Sequence, residues 1–292
     1  MNISINTKVA ALFVILLSAA NVTYATTILA NNPAPGDAFT NPTGANFGQA
    51  VGSSGWYYNN VRKGATVGVS TINPRSGNGS VSFSSPSNGK ADIEYLPGAI
   101  SIAGNYVSTA SLGTFSLLNL MAYDWYRNGT SLAVASQQPS LRVLLDADGD
   151  LSTTSDRGGL VFERVYNSLS TPLDKWQNDT ISASTNLWNF GLGLGFAYDV
   201  NANGYAYDST LLDWQNFLPR AKIIGFSSGV GSGWNSFGGA VDNISWTIAG
   251  VSTLSNFEVE SPATVPEPAT FALLGMGLLG IGVMRRKSAV RQ

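Results

Sequence analysis

The chain has 292 residues and a net charge of −2, only 12% of its residues are charged, and it contains no cysteine and no histidine. Disulfides, Ser-His-Asp and Cys-His catalysis, and zinc sites built on imidazole or thiolate are therefore excluded. Five of the sixteen basic residues lie near the two ends, so residues 26–264 carry 11 bases, 17 acids and a net charge of −6, which argues against nucleic acid or anionic lipid as a partner.

The first 25 residues have the pattern of a secretory signal peptide. Lys8 is the only charge before Asp37, and residues 9–20 form an uninterrupted apolar run. Thr23 and Ala25 are small residues at −3 and −1 of the predicted cleavage site, and a cut after Ala20 is the alternative. We therefore expect an exported protein whose N-terminal signal helix, residues 1–25, is removed.

Residues 26–260 are predicted to form one all-β domain, an antiparallel β-sandwich of the jelly-roll or lectin-like type. Short runs of β-branched and aromatic residues alternate with polar residues between Gly, Asn and Pro breakers. The predicted strands are 65–71, 80–84, 91–96, 112–126 (one bent strand or two), 141–145, 160–166, 181–188, 221–227, 240–248 and 256–260. A single short helix is predicted over 210–217, with Asp208 and Ser209 as caps. Residues 26–50 are predicted to be an irregular lead-in.

Four of the seven tryptophans are predicted to lie in the core. Trp125 and Trp246 alternate with apolar neighbours, and Trp188 and Trp214 stand in segments that look amphipathic. Trp56 and Trp176 lie beside polar, loop-like residues, and a core or rim position is favoured for both.

An acidic loop follows the strand predicted at 141–145. Asp146, Asp148 and Asp150 occupy alternate positions. Carboxylate oxygens are hard ligands that suit Ca²⁺, and three like charges this close repel one another unless a cation lies among them. The loop is not an EF-hand, because Arg157 stands where that motif has its bidentate Glu. Two interpretations stay open: a structural Ca²⁺ loop of these three aspartates with Asp156, or a solvated hairpin turn.

A glycine-rich loop over residues 229–239 carries Trp234 and Phe237. It is not a phosphate loop, because no Lys-Ser/Thr pair or helix start follows. The loop and the next strand resemble the end of carbohydrate-binding and lectin-like jelly rolls. That resemblance implies that Asp242 helps to hold a structural calcium, and an exposed Trp234 would stack on the face of a sugar. The alternative is that Trp234 caps the core.

Paired carboxylates are the catalytic arrangement that the composition leaves open. Glu94 and Glu163 lie in predicted strands, and a secreted glycan-active hydrolase that uses them is the alternative function. The alternative is that both residues are ordinary side chains on the solvent face of their strands. We expect a non-enzymatic protein and assign no catalytic residue.

The last 28 residues have three parts in order: Pro266-Glu267-Pro268, an uncharged run over 269–284, and the basic cluster Arg285, Arg286 and Lys287. A helix of sixteen residues is about 24 Å long, whereas the hydrocarbon core of a bilayer is ~30 Å thick. Local thinning of the bilayer can absorb this difference. The basic cluster stays cytoplasmic, which leaves the body outside. We expect a linker (261–268), a single transmembrane helix (269–284) and a basic cytoplasmic tail (285–292).

This arrangement resembles the PEP-CTERM sorting signal of Gram-negative bacteria that make extracellular polysaccharide. The resemblance implies handling by an exosortase, a membrane-embedded thiol protease, which would recognise Pro266, Glu267 and Pro268 together with Arg285, Arg286 and Lys287. We expect a precursor tethered in the inner membrane and then a protein of the cell surface, outer envelope or extracellular matrix. Extracellular polysaccharide is the expected ligand. An ordinary membrane anchor after a Pro-rich linker is the alternative.

Overall fold

A computed structural model describes residues 23–261 of the chain. These residues form two large β-sheets and a small hairpin, with one α-helix. The strands are β1 (Thr23–Leu29), β2 (Phe39–Asn41), β3 (Phe47–Ala50), β4 (Trp56–Arg62), β5 (Ala65–Ser70), β6 (Ser80–Ser85), β7 (Lys90–Tyr95), β8 (Ile100–Ile102), β9 (Asn105–Val107), β10 (Gly113–Thr114), β11 (Leu118–Arg127), β12 (Ser140–Asp146), β13 (Arg157–Phe162), β14 (Gln177–Ile181), β15 (Trp188–Gly191), β16 (Lys222–Val230), β17 (Phe237–Ile248) and β18 (Val251–Glu258). The predicted all-β sandwich is confirmed.

The first sheet is built around the long strand β17. One side of β17 pairs with β6 over its first half and with β18 over its second half, while β11 runs antiparallel along the other side. β5 and β2 continue the sheet beyond β6, and β14 pairs with β11. β1 joins β18 in parallel, from Thr23 opposite Ser252 to Leu29 opposite Glu258.

The second sheet has the strand order β15-β13-β12-β16-β7-β4-β3, with β10 beside the start of β16. All its pairs are antiparallel. Because side chains alternate along a strand, Ala91 and Ile93 of β7 point into the core, and Lys90, Asp92 and Glu94 stand on the outer face. This outer face carries the site described below.

The core lies between the two sheets and is rich in aromatic contacts. Trp56 of β4 packs edge-on against Phe257 of β18 with ring centroids 5.0 Å apart. Phe226 of β16 stacks on Trp246 of β17 at 4.3 Å and an interplanar angle of 12°. Each such side chain contributes about 1.5–3 kcal/mol when buried. This packing supplies the stability that a chain without disulfides needs.

The predicted helix is confirmed as α1 (Leu211–Phe217), although its cap differs from the prediction. Thr210 is the N-cap, in place of Asp208 and Ser209: its hydroxyl accepts from the Asp213 N–H at 3.2 Å, and the Asp213 carboxylate accepts from the Thr210 N–H at 2.8 Å. This capping box satisfies two of the N–H groups at the start of the helix.

Three predictions about the strands are wrong. The strand predicted over 160–166 ends at Phe162, and Arg164–Asn167 form a 3-10 helix directly after Glu163. Residues 26–50 are not an irregular lead-in, since they contain most of β1 and all of β2 and β3. β1 is paired through its backbone while all but Ile28 of its side chains are exposed, so it lacks the apolar alternation of a half-buried strand. The strand predicted over 181–188 is a turn between β14 and β15, because the Thr185 N–H donates to the Ser182 carbonyl at 3.0 Å.

The predicted signal peptide and transmembrane helix fall on residues outside the described range, apart from Thr23 to Ala25, which belong to β1. Within residues 23–261, no helix combines the length and the apolar character needed to cross a membrane.

Candidate functional site

A groove of about 540 Å³ lies on the outer face of the second sheet. The strand register builds its floor: Glu94 of β7 faces Ser227 of β16, Ser227 faces Arg142 of β12, and Arg142 faces Val161 of β13. Ligand pockets in proteins have volumes of about 300–1,000 Å³. The groove is therefore large enough to be a binding site, and its floor is polar.

A buried charge network holds the middle of the floor. The Arg142 guanidinium donates to Asp92 Oδ1 at 2.7 Å and to the Ser227 hydroxyl at 3.2 Å. Lys90 Nζ lies 3.2 Å from Asp92 Oδ2. Burial opposes ionisation of Asp92, but Lys90 and Arg142 outweigh it and lower the pKa of this carboxyl. The network fixes the positions of one negative and two positive groups beneath the groove.

Glu94 is the second floor carboxyl, and both its oxygens are occupied. Oε2 accepts from Asn59 Nδ2 at 2.6 Å, and Oε1 accepts from Asn60 Nδ2 at 3.1 Å. Burial, and then the charge of Asp92, raise the pKa of Glu94. The two amides draw this carboxyl toward β4, the strand on the far side of β7 from β16.

Glu163 lines the same groove directly after β13, and burial raises its pKa while Arg142 opposes the rise. The predicted pair Glu94 and Glu163 thus shares one groove. Two strands, β16 and β12, lie between them, and Glu163 stands two residues beyond Val161, the residue in register with Glu94, so their Cα atoms are about 16 Å apart. Glycosidase carboxyl groups lie about 5–9.5 Å apart. Because Glu94 is held toward β4, the two residues do not form such a pair.

An aromatic wall stands on the β15 side of the groove and includes Tyr166, Trp188, Phe190 and Phe196. Trp188 and Phe196 pack with ring centroids 4.8 Å apart, and Phe196 is 70% exposed. Tyr166 stacks on Tyr207 at 4.2 Å. The Trp188 indole lies beside the Glu163 carboxyl and opposes the rise in its pKa. Placing Trp188 in the core was wrong: β15 is the edge strand beyond β13, and its outward-facing indole forms part of the wall.

Trp234 lies at one end of the groove, in the loop between β16 and β17, and is half-buried. Its ring packs edge-on against Phe237 with centroids 5.3 Å apart, and its carbonyl accepts from the Asn88 N–H at 2.8 Å. A Cβ at Gly231 would lie only 2.9 Å from Trp234 Nε1, so the glycine leaves room for the indole. Sugar contact by Trp234 is still a prediction.

Asp242 lies away from the groove and is fully buried. Oδ1 accepts from the Phe257 N–H at 2.9 Å, and the backbone N–H groups of Asn243 and Ser76 lie near the same carboxyl. Burial raises the pKa of Asp242 to about 6, although backbone N–H groups, the first of them that of Phe257, oppose the rise. The calcium role that the resemblance implies for this residue stays a prediction.

Three of the four predicted calcium ligands come together in the loop between β12 and β13. Asp146, Asp148 and Asp156 each bring one carboxylate oxygen within 4.8 Å of the others. Asp150 turns away, because its Oδ1 accepts from the Ser152 N–H at 3.0 Å and from the Ser152 hydroxyl at 2.7 Å.

A larger cavity, of about 670 Å³, lies on the outer face of the first sheet. Serine, threonine and glycine dominate its lining, and its two aromatic residues, Phe83 and Phe237, are each only 3% exposed. The smaller groove offers exposed aromatic surface next to fixed polar groups, and it is therefore the better candidate site.

Comparison with solved structures finds carbohydrate-binding module β-sandwiches. The chain is similar to the family 11 module from Clostridium thermocellum in complex with a beta-1,3-1,4-mixed-linked tetrasaccharide (14% identity, TM-score 0.38, 70% of this chain and 96% of that one). It is also similar to the family 11 module of a cellulosomal cellulase of Clostridium thermocellum (16% identity, TM-score 0.36, 71% of this chain and 91% of that one). A third similar structure is TmCBM61 in complex with beta-1,4-galactotriose (11% identity, TM-score 0.26, 61% of this chain and 79% of that one).

The search of curated proteins finds no match. The family comparison confirms the resemblance read from the sequence, and its match includes Pro266, Glu267 and Pro268 as well as Arg285, Arg286 and Lys287. Residues 264–287 of this chain are a PEP-CTERM protein-sorting motif.

Proposed function

We propose that this protein is an exported, non-enzymatic surface protein that binds polysaccharide in the groove of its second sheet. The observation that carries the proposal is the pairing of an aromatic wall with a fixed polar floor. A pyranose ring has apolar C–H faces and a rim of hydroxyl groups. Aromatic rings such as Trp188 and Phe196 pack against the faces, and rigid donors and acceptors such as Arg142 bind the rim.

The position of the Trp188 indole N–H beside the Glu163 carboxyl, at the groove, supports this proposal. A donor and an acceptor that stand side by side match a sugar hydroxyl group, which both donates and accepts hydrogen bonds. The hydroxyls of Ser140 and Ser227 and the carboxyl of Glu163 also line the groove, so both donors and acceptors are available to a neutral glycan.

Affinity gel electrophoresis tests the binding function. We expect the full chain to migrate more slowly in gels that contain a neutral β-glucan or the exopolysaccharide of the producing cell. Trp188→Ala should abolish the retardation, whereas Trp176→Ala should keep it, because Trp176 is also half-buried but packs on Tyr126 outside the groove. Unaltered mobility of the native chain across neutral and acidic polysaccharides would reject the proposal, as would equal effects of the two variants.

For sorting, we infer that the PEP-CTERM motif directs a membrane-tethered precursor to an exosortase, which cuts near Pro266-Glu267-Pro268 and delivers the body to the cell surface or matrix. Intact mass of the protein from the envelope and the medium tests this. A species from Thr26 to about Pro268 is expected; of strand β1 such a cut removes the exposed Thr23, Tyr24 and Ala25 and keeps the buried Ile28. A species that retains Met284 would show that the tail is a lasting anchor.

One observation favours the alternative of a glycan-active hydrolase. Asn60 Nδ2 donates to both Asp92 Oδ2 and Glu94 Oε1, at 3.0 and 3.1 Å, so these carboxyls are close, and their pKa values move in opposite directions. An acid and a nucleophile differ in this way. All four oxygens are, however, already bound by protein groups. Release of reducing ends that Glu94→Gln abolishes would establish the hydrolase; we expect none.

A further inference from the structure

The loop between β12 and β13 contains a carboxylate oxygen that the rest of the protein leaves unsatisfied. Asp146 is the last residue of β12 and is 0% exposed. Its Oδ2 accepts from Arg157 Nε at 3.1 Å, but its Oδ1 is buried without any hydrogen-bond partner. Burial raises the pKa of Asp146, with the Arg157 hydrogen bond opposing the rise. A buried carboxylate oxygen of this kind is costly unless a cation or a donor reaches it.

Two further carboxylates surround Asp146. One oxygen each from Asp146, Asp148 and Asp156 lies within 4.8 Å of the others. Oxygens bound to Ca²⁺ lie about 2.3–2.6 Å from the ion, so two ligands of one ion are at most about 5 Å apart. The Asp148 N–H donates to Asp156 Oδ2 at 2.7 Å, which closes the loop and holds the exposed Asp148 next to the half-buried Asp156.

The charge of the loop also favours a divalent cation. Asp146, Asp148 and Asp156 carry three negative charges, and the two basic side chains beside them are Arg157 and Lys222. Arg157 is fully engaged: besides Asp146 it donates to the Ser108 and Leu151 carbonyls at 2.9 Å each. Lys222 stands opposite Asp146 on β16, and its side chain passes Gly149. The cluster keeps an excess of negative charge, which attracts a cation, and carboxylate oxygens are preferred ligands of Ca²⁺.

We propose that Asp146, Asp148 and Asp156 form a Ca²⁺ site that ties the end of β12 to the start of β13. β12 and β13 carry Arg142 and Val161 of the groove floor. A bound ion would fix the register of β12 and β13 at the loop that joins them, which is the end of the strand pair far from Glu163. The site does not depend on the groove binding polysaccharide.

Isothermal titration of the calcium-stripped full chain with CaCl₂ tests the site. We expect a dissociation constant of about 10⁻⁴–10⁻³ M, as in extracellular calcium modules. Asp148→Asn changes an exposed side chain and should not disturb folding, and it should remove one equivalent of bound calcium or weaken it about tenfold, because ligand charge sets the affinity. Asp150→Asn is the matched control in the same loop and should bind like the native chain.

Thermal unfolding gives a second readout. Ca²⁺ should raise the Tm of the native chain and of Asp150→Asn more than that of Asp148→Asn. Calcium binding that is undetectable up to 10 mM, a level about ten times the weakest expected constant, would overturn the proposal. Equal losses of calcium affinity in the Asp148 and Asp150 variants would also overturn it. They would mean that the total negative charge of the loop attracts Ca²⁺ and that three particular carboxylates do not bind it.

Discussion

The buried Asp242 carboxyl gives a prediction whose magnitude follows from its surroundings. Its pKa is raised from an ordinary 3.8 to about 6 by burial, which outweighs the backbone N–H groups of Phe257, Asn243 and Ser76 near the carboxyl. Because the folded-state pKa lies above the unfolded value, the folded protein holds this proton more tightly. The resulting stability is present below about pH 4 and is lost as the pH rises through 6. At 1.36 kcal/mol per pKa unit, the ionised carboxylate lowers the free energy of unfolding by about 3 kcal/mol at pH 8.

Asp242→Asn should remove this penalty. An amide oxygen can still accept from the Phe257 N–H, and no charge is buried. The Asn Nδ2 group that replaces one carboxylate oxygen is a buried donor and costs about 1–3 kcal/mol at every pH, so the test is the pH dependence. We expect the stability of the variant relative to the native chain to rise by about 1.4 kcal/mol from its value at pH 5 to its value at pH 8 in calcium-free buffer. Urea unfolding followed by tryptophan fluorescence measures both values. Asp174→Asn changes an exposed carboxyl and should alter stability by less than about 0.5 kcal/mol.

A stability difference between the two proteins that stays the same from pH 5 to pH 8 without calcium would refute the reasoning, because it would mean that the native carboxyl has an ordinary pKa. The same two proteins in calcium test the role implied by the resemblance. If a calcium ion is held by Asp242, calcium will stabilise the native chain more than the variant and will shrink or reverse the expected difference.

Two further predictions concern the groove. Phe196→Ala should weaken polysaccharide binding while leaving the urea midpoint unchanged, because the side chain is 70% exposed; equal affinity in gel electrophoresis would remove Phe196 from the site. Arg142→Ala should lower the free energy of unfolding by about 3 kcal/mol, since it leaves Asp92 buried with Lys90 as its remaining cation. Arg75→Ala is the matched control, because this arginine is 40% exposed in its ion pair with Asp124. We expect it to lower the free energy of unfolding by less than about 1 kcal/mol. Equal losses of stability in the two variants would contradict this explanation.

Much of the architecture could be predicted from local patterns. The alternation over 91–96 predicts the strand observed as β7, and the run from Thr210 to Phe217 predicts the helix observed as α1, although not its cap. The two elements could be predicted because the period of a strand or a helix depends on residues within a few positions of one another. β1 escaped prediction because an exposed edge strand is held by backbone hydrogen bonds, which leave no apolar pattern in the sequence.

By itself, the sequence determines the sorting motif at 264–287 and excludes thiol and imidazole chemistry, because these depend on which residues are present and in what order. Only the tertiary structure decides which residues line the groove. Glu94, Ser227, Arg142 and Val161 become neighbours through strand pairing between distant segments, and no local spacing encodes that register. The tertiary structure also decides that Trp188 belongs to the aromatic wall, because the edge strand β15 pairs with β13 and carries this side chain on the outer face of the sheet.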